Sequence, residues 1–264
     1  MTQPGTGKTA AISGATGSIG QAIAYQLAAM DYKVVIIGRN PEKCALVIEE
    51  ITSSSKNSAV EYLIADLSEK DSIASLAAAW NGPLHILINN AAIAPKDRQV
   101  TFKGIELQFA TNVLGYHWMT ESFADILSES APARVVNVAS YWAGGLDLDD
   151  LEFNHRPYHN HAAYRQSKQA NRMQTPVFSR MLRDRDITVN ACHSGDVRST
   201  LSLDLGFGGS QSPATGAKTP VWLATSKSLN DITGKYFEDL REVACQFASL
   251  TNDTERLYEI CSSY

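Results

Sequence analysis

The chain has 264 residues, with 23 Lys and Arg against 28 Asp and Glu, a formal net charge of −5 and a pI near 5.7. That balance excludes a basic nucleic-acid binder as the default reading. With 44% hydrophobic and 19% charged residues, the composition is that of a globular protein with a large core, and one α/β domain over residues 1–264 accommodates it.

Cys44, Cys192, Cys245 and Cys261 are widely spaced and form no C-x-x-C pair, which argues against a disulfide framework or a zinc site and for a reducing compartment. No stretch approaches the length of an uninterrupted apolar span, and the first residues lack the charged-then-apolar pattern of a leader. The expectation is a cytoplasmic protein without a membrane span.

In chain order, Pro4 to Thr9 imitates the end of a triphosphate-binding loop, but Thr2 stands where the motif needs glycine and no strand precedes it. Short Val/Ile-rich runs at 9–12, 33–37, 60–64, 84–88, 134–138 and 187–191 read as buried strands. Between them, 19–30, 42–51, 73–80 and 105–127 carry apolar residues at helical spacing. Alternation of this kind predicts an α/β fold: a doubly wound, Rossmann-type parallel sheet with helices on both faces. Two less regular stretches, 147–160 and 202–219, read as functional loops.

Directly after the first strand comes Ser13-Gly14-Ala15-Thr16-Gly17-Ser18-Ile19-Gly20, which opens a helix. Glycines let the backbone approach a pyrophosphate, and the N–H groups and dipole of the helix N-terminus bind its charge. The spacing G-x-x-G-x-x-G departs from the common dinucleotide fingerprint. At the end of the second strand, where an acidic residue would take the ribose hydroxyls of NAD, stand Arg39 and Asn40. The guanidinium fork of Arg39 suits a 2′-phosphate, so NADP(H) is the expected cofactor.

Tyr164 and Lys168 lie four residues apart, one helical turn on one face. Reducing a ketone requires hydride on carbon and a proton on oxygen, and a phenol serves poorly near neutrality unless its pKa is lowered. Lys168 and an oxidised nicotinamide would both stabilise the phenolate. Ser140 can hydrogen-bond the carbonyl oxygen as charge develops, and Asn112 can hold a water that passes protons from solvent through Lys168. His155, His159 and His161 lack partners at ligand spacing, so no metal is expected and the segment reads as a solvated or substrate-lining loop. His193 reads as a packed residue at a strand end.

From Lys8 almost to Tyr264 the sequence resembles the short-chain dehydrogenase/reductase family. The residues that carry the resemblance are the Ser13–Gly20 turn, Asp66-Leu67, Asn89-Asn90-Ala91-Ala92, Asn112, Ser140, Tyr164 with Lys168, and His193 to Val197, in that order. The retinol-dehydrogenase and WW-domain-oxidoreductase branch is the most similar, on Glu106 to Asn112, the long gap from Ser140 to Tyr164, and Thr233 to Phe237. The resemblance implies an NADPH-linked carbonyl reductase, reversible as an alcohol dehydrogenase, with Asn112, Ser140, Tyr164 and Lys168 as the catalytic tetrad. It implies cofactor contacts from Gly14, Thr16, Gly17, Ser18, Ile19, Gly20, Arg39, Asn40, Asp66, Leu67, Asn90 and Ala91, then Tyr164, Lys168, Gly195, Val197 and Ser199.

Tyr141, Trp142, Leu203 and Phe207 are expected to line a lipophilic substrate site, with 141–162 and 201–219 as its loops and the second of these as a mobile lid. A sugar-nucleotide epimerase or dehydratase, or a non-catalytic NADP-binding regulator, remain alternatives. The expected partner is a small carbonyl or alcohol substrate. A homo-oligomer is possible in the family, but Pro176 should kink or end the helix that would form its interface.

Overall fold

In the computed structural model, which describes residues 4–264, the Val/Ile-rich runs become strands, and all but the edge run 60–64 are largely buried on both faces. Met1 to Gln3, including the Thr2 that breaks the triphosphate-loop match, lie outside the described residues. The chain runs β1 (Thr9–Ser13), α1 (Ser18–Ala28), β2 (Lys33–Gly38), α2 (Pro41–Ser55), β3 (Val60–Ile64), α3 (Lys70–Ala78) and β4 (Ile86–Asn89). It continues through α4 (Gly115–Ser122), α5 (Ala124–Glu129), β5 (Ala133–Val138), α6 (Asn160–Met181), β6 (Ile187–Cys192), α7 (Thr200–Asp204) and α8 (Pro213–Gly216). α9 (Lys218–Thr225), β7 (Tyr236–Glu238), β8 (Arg241–Val243) and α10 (Thr251–Ser263) complete it.

The eight strands form one sheet in the order β3-β2-β1-β4-β5-β6-β7-β8, parallel except for β8. This is the doubly wound Rossmann-type arrangement. Alternate strand residues feed two cores: Ala11, Leu87, Val135 and Val189 face α4 and α6, while Ala10, Ile12, Ile36, Ile88 and Val136 face α1 and α9. The winding direction reverses between β1 and β4, which opens a crevice at their carboxyl ends, where ligands of such sheets bind. Asn90, just past β4, closes the floor of that crevice. Its N–H donates to the Ser13 hydroxyl at 2.9 Å, and its amide donates to the Ser13 carbonyl at 3.0 Å.

Three expectations need correction. The segment read as one helix over 105–127 is three pieces: a π-helical turn Phe109–Leu114, then α4, then α5. Helical spacing cannot show the wider turn, because the Asn112 side chain that sits in it bonds to the distant Ile93 backbone. Of the kink or end expected at Pro176, the end does not occur, since α6 runs on to Met181. The proline forgoes one donor to the Arg172 carbonyl, while burial of most of the helix holds the rest in place. The short strands β7 and β8 fall in a stretch assigned no strand from sequence, since three residues are too few to show a period.

The segment 147–160 is tied down within itself and to α6. Asp150 accepts hydrogen bonds from the backbone of Asn154 (2.6 Å) and His155 (3.2 Å) and pairs with Arg156. Gln166 of α6 fastens the segment by donating to the Leu151 carbonyl at 2.7 Å.

Candidate active site

The crevice between the ends of β1, β2 and β4 is a cleft of about 510 Å³. Its floor is glycine because side chains would not fit. A Cβ on Gly14, where φ is +65°, would meet the Ala91 backbone at 2.6 Å, and one on Gly20 would meet Asn90 and the Gly14 carbonyl at 2.6 Å. α1 starts at Ser18 behind Gly17 with no side-chain cap, so its first N–H groups face the cleft unsatisfied by the chain. A Cβ-free backbone, free helical N–H groups and a nearby guanidinium fit a dinucleotide carrying phosphates.

Of the cofactor residues expected from sequence, Gly14, Thr16, Gly17, Ser18, Ile19 and Gly20 line this cleft, as do Arg39, Asp66, Leu67, Asn90, Ala91 and Ser199. Arg39 lies 3.8 Å from the Asp66 carboxylate, both more than a third exposed. Asn40 is not on the cleft wall. It caps α2, its side chain accepting from the Lys43 N–H at 2.7 Å. That cap turns Lys43, a cation that sequence reasoning missed, onto the cleft beside Arg39.

A second cavity of about 350 Å³ adjoins the first, and Ile19, Ser199 and Leu201 belong to the walls of both. Ser140, Tyr141, Trp142 and Tyr164 line it together with Gly195, Val197 and Phe207. Leu203, expected here, is 64% exposed and off the wall. Its neighbours Leu201, in α7, and Leu205, at its C-cap, four residues apart on the inner face, take that place.

Tyr164 is buried at the second turn of α6. Burial pushes its phenol up to about 12, against the pull of the Ser140 hydroxyl and with a small upward push from Tyr141. With its pKa raised in this way the phenol is protonated at neutral pH. Lys168 is 2% exposed, its Nζ donates to the Val138 carbonyl at 2.9 Å, and it lies 5.7 Å from the centre of the Tyr164 ring. Burial pushes its ammonium down to about 7.

Asn112 is fully buried and its side chain is occupied. Oδ1 accepts from the Ile93 N–H at 2.9 Å, and Nδ2 donates to the Ile93 carbonyl at 2.9 Å and to the Ser167 hydroxyl at 3.2 Å. Ser167 in turn donates to the Tyr164 carbonyl at 2.7 Å. The side chain thereby joins the cleft wall to the helix of Tyr164. Among the described residues no group of three His, Cys, Asp or Glu side chains is placed to hold a metal, and no helix is long and apolar enough to cross a membrane.

The family model for the short chain dehydrogenases matches residues 8–205. The chain belongs to that family. Within it the similarity runs to the retinol dehydrogenases: human retinol dehydrogenase 13 is 34% identical over 258 residues, which cover 90% of this chain and 78% of that protein. Solved short-chain dehydrogenases share the fold. The Pseudomonas aeruginosa RhlG/NADP complex superposes with a TM-score of 0.72 at 23% identity, over 90% of this chain and 96% of that one. A 3-ketoacyl-(acyl-carrier-protein) reductase from Brucella melitensis, complexed with NADH, gives 0.69 at 25% identity, over 89% and 97% of the two chains. As a short-chain dehydrogenase the protein is an oxidoreductase that uses a nicotinamide cofactor, and the shared fold alone does not choose between NAD and NADP.

Proposed function

We propose that this short-chain dehydrogenase is an NADPH-dependent reductase of ketones or aldehydes on lipophilic small molecules, reversible as an alcohol dehydrogenase. The observation that carries the reading is the shared wall of Ile19, Ser199 and Leu201, which sets a cavity holding Ser140 and Tyr164 directly against the dinucleotide cleft. A reduced nicotinamide supplies the hydride when bound there. Tyr164, protonated at neutral pH, delivers the proton to the carbonyl oxygen. Ser140 orients that oxygen by hydrogen bonding as its charge grows. Lys168, poised near neutrality and buried behind the phenol, returns a proton to it and favours the phenolate whenever it is charged. Asn112 acts through Ser167 to hold the helix of Tyr164 in place.

NADPH rather than NADH is supported by Arg39 and Lys43, two cations on the cleft beside the end of β2, where a carboxylate would select the unphosphorylated ribose. An epimerase or dehydratase reading is disfavoured because β6, β7 and β8, which follow Tyr164, join the same sheet and form no separate substrate domain. A purely regulatory role is disfavoured by the Ser140 and Tyr164 hydroxyls lining the cavity that adjoins the dinucleotide cleft. Following the absorbance of NADPH and of NADH with a panel of aryl and alkyl ketones and aldehydes tests the reading. Turnover with NADPH is expected, and oxidation of neither cofactor by any carbonyl would overturn it.

A further inference from the structure

One wall of the Ser140–Tyr164 cavity takes no part in the reduction. His193, immediately after β6, lies on it with Ser194, Asp196 and Ser202. Tyr141, on the same cavity, packs against the imidazole. It follows Ser140 in the chain, and its ring meets His193 edge to face with centroids 4.6 Å apart. The His193 N–H is fixed to the Phe237 carbonyl at 2.9 Å, which anchors the residue to β7. Nδ1 is sealed from solvent without a hydrogen-bond partner, whereas Nε2 is not sealed and bonds to no protein group, which leaves it available to a ligand in the cavity that His193 lines.

Burial keeps His193 neutral against the carboxylates around it. Burial pushes its pKa down to about 4, Arg172 pushes the same way, and Glu238, Asp239 and Asp196 oppose them. Arg172 is itself held behind this wall, 7% exposed, with its guanidinium 3.7 Å from the centre of the Tyr236 ring and 4.9 Å from that of Phe247. Among the described residues no carboxylate pairs with it. A neutral imidazole edge offers an N–H or a lone pair, so it matches a hydroxyl, ether or carbonyl oxygen without requiring a charged partner. The remaining wall, with Trp142, Leu205 and Phe207, is apolar and largely aromatic.

We infer that His193 determines specificity by binding a second, uncharged oxygen of the substrate. The preferred compounds are then cyclic or aryl ketones bearing a hydroxyl or another carbonyl close to the reacting one, in preference to plain hydrocarbon ketones and aldehydes. The inference rests on the carbonyl-reductase reading of the same cavity and adds the substrate class to it.

The probes are 1-phenyl-1,2-propanedione and propiophenone, which share the phenyl ketone and differ in the second carbonyl. His193→Phe keeps a ring against Tyr141 and removes both nitrogens, while His193→Gln keeps a neutral hydrogen-bonding edge. The ratio of kcat/KM for the dione over propiophenone is expected to fall about 10-fold in the Phe variant and to be largely retained in the Gln variant. Equal ratios in all three proteins, or an equal fall in both variants, would overturn the inference. Binding is read separately, on wild-type protein with NADP bound, from the imidazole 15N signals of His193. A shift with the dione and none with propiophenone supports the inference even if neither compound is turned over, in which case it is the reductase reading that fails. Signals that ignore both compounds, or answer both alike, overturn it even if both are reduced.

Discussion

Trp142 and Phe207 meet edge to face, ring centroids 5.0 Å apart and planes at 86°, joining the segment after Ser140 to the segment after α7. His161, at the start of α6, stacks on the same Phe207 ring at 5.8 Å. Three separate stretches of chain thus close over the cavity of Tyr164 through aromatic contacts, each worth about 1 kcal/mol. Phe207→Ser should loosen this closure and raise KM for bulky apolar ketones by roughly 10-fold, with little change for a small one such as acetone. Leu203→Ser, on the outer face of α7, should leave both values alone. Steady-state kinetics of the two variants decide it, and a larger effect from Leu203 than from Phe207 would contradict the geometry.

Arg39 and Lys43 are expected to read the 2′-phosphate of the cofactor. Losing a charge-assisted hydrogen bond costs about 1.5–3 kcal/mol, roughly 10- to 100-fold in affinity. Arg39→Ala should weaken NADPH by that factor and NADH by much less, and Lys43→Ala should shift the same preference in the same direction. Fluorescence titration with both cofactors measures it. Equal losses for NADPH and NADH would show that these cations serve something other than the phosphate.

Glu106 is 1% exposed and caps the π-helical turn of Asn112, accepting from the N–H groups of Gln108 at 2.9 Å and Phe109 at 2.7 Å. Burial raises its pKa from 4.5 to about 7, with Glu152 adding to the rise and the two backbone hydrogen bonds and Arg98 opposing it. The folded state therefore holds this proton more tightly than the unfolded chain. Its contribution to stability is full below about pH 4.5 and is lost as pH rises through about 7. The loss is at most on the order of 3 kcal/mol. Urea denaturation across this range should show stability falling with pH more steeply in the wild type than in Glu106→Gln. Parallel curves would contradict the assignment.

α10 lies along the outer side of α6 in the same chain. Tyr258 packs on Phe178 at 5.5 Å and on His117 at 5.1 Å, and Arg180 pairs with Glu255. With this face of α6 covered internally, light scattering is expected to give the mass of one 28.7 kDa chain. A two-chain mass would contradict it.

The strands were legible because short Val- and Ile-rich runs buried on both faces leave the same mark in any parallel sheet, and Gly14, Gly17 and Gly20 followed the first of them directly. The site was legible in its chemistry more than in its walls. Tyr164 and Lys168 share a helix face by spacing alone, whereas the role of the Asn112 side chain depends on Ile93, nineteen positions earlier, which no local pattern reveals. Lys43 carried a readable signal, since it falls one helical turn beyond Arg39 once Asn40 is taken as a cap. Leu201, Leu203, Leu205 and Phe207 all read as apolar in a glycine-rich segment, and only the helical turn of α7 separates the inward Leu201 and Leu205 from the exposed Leu203. His193 became visible as a cavity residue only through the ring of Tyr141, a contact between neighbours of two different strands.

The central claim, that Tyr164 is the proton donor in carbonyl reduction, is tested most directly by Tyr164→Phe. The substitution removes the hydroxyl and leaves the dinucleotide cleft intact, because Tyr164 lies on the wall of the second cavity and not of the first. NADPH should titrate with an affinity within about 2-fold of wild type, while the rate of ketone reduction should fall by roughly 10²- to 10⁴-fold. Wild-type turnover in the variant would contradict the account.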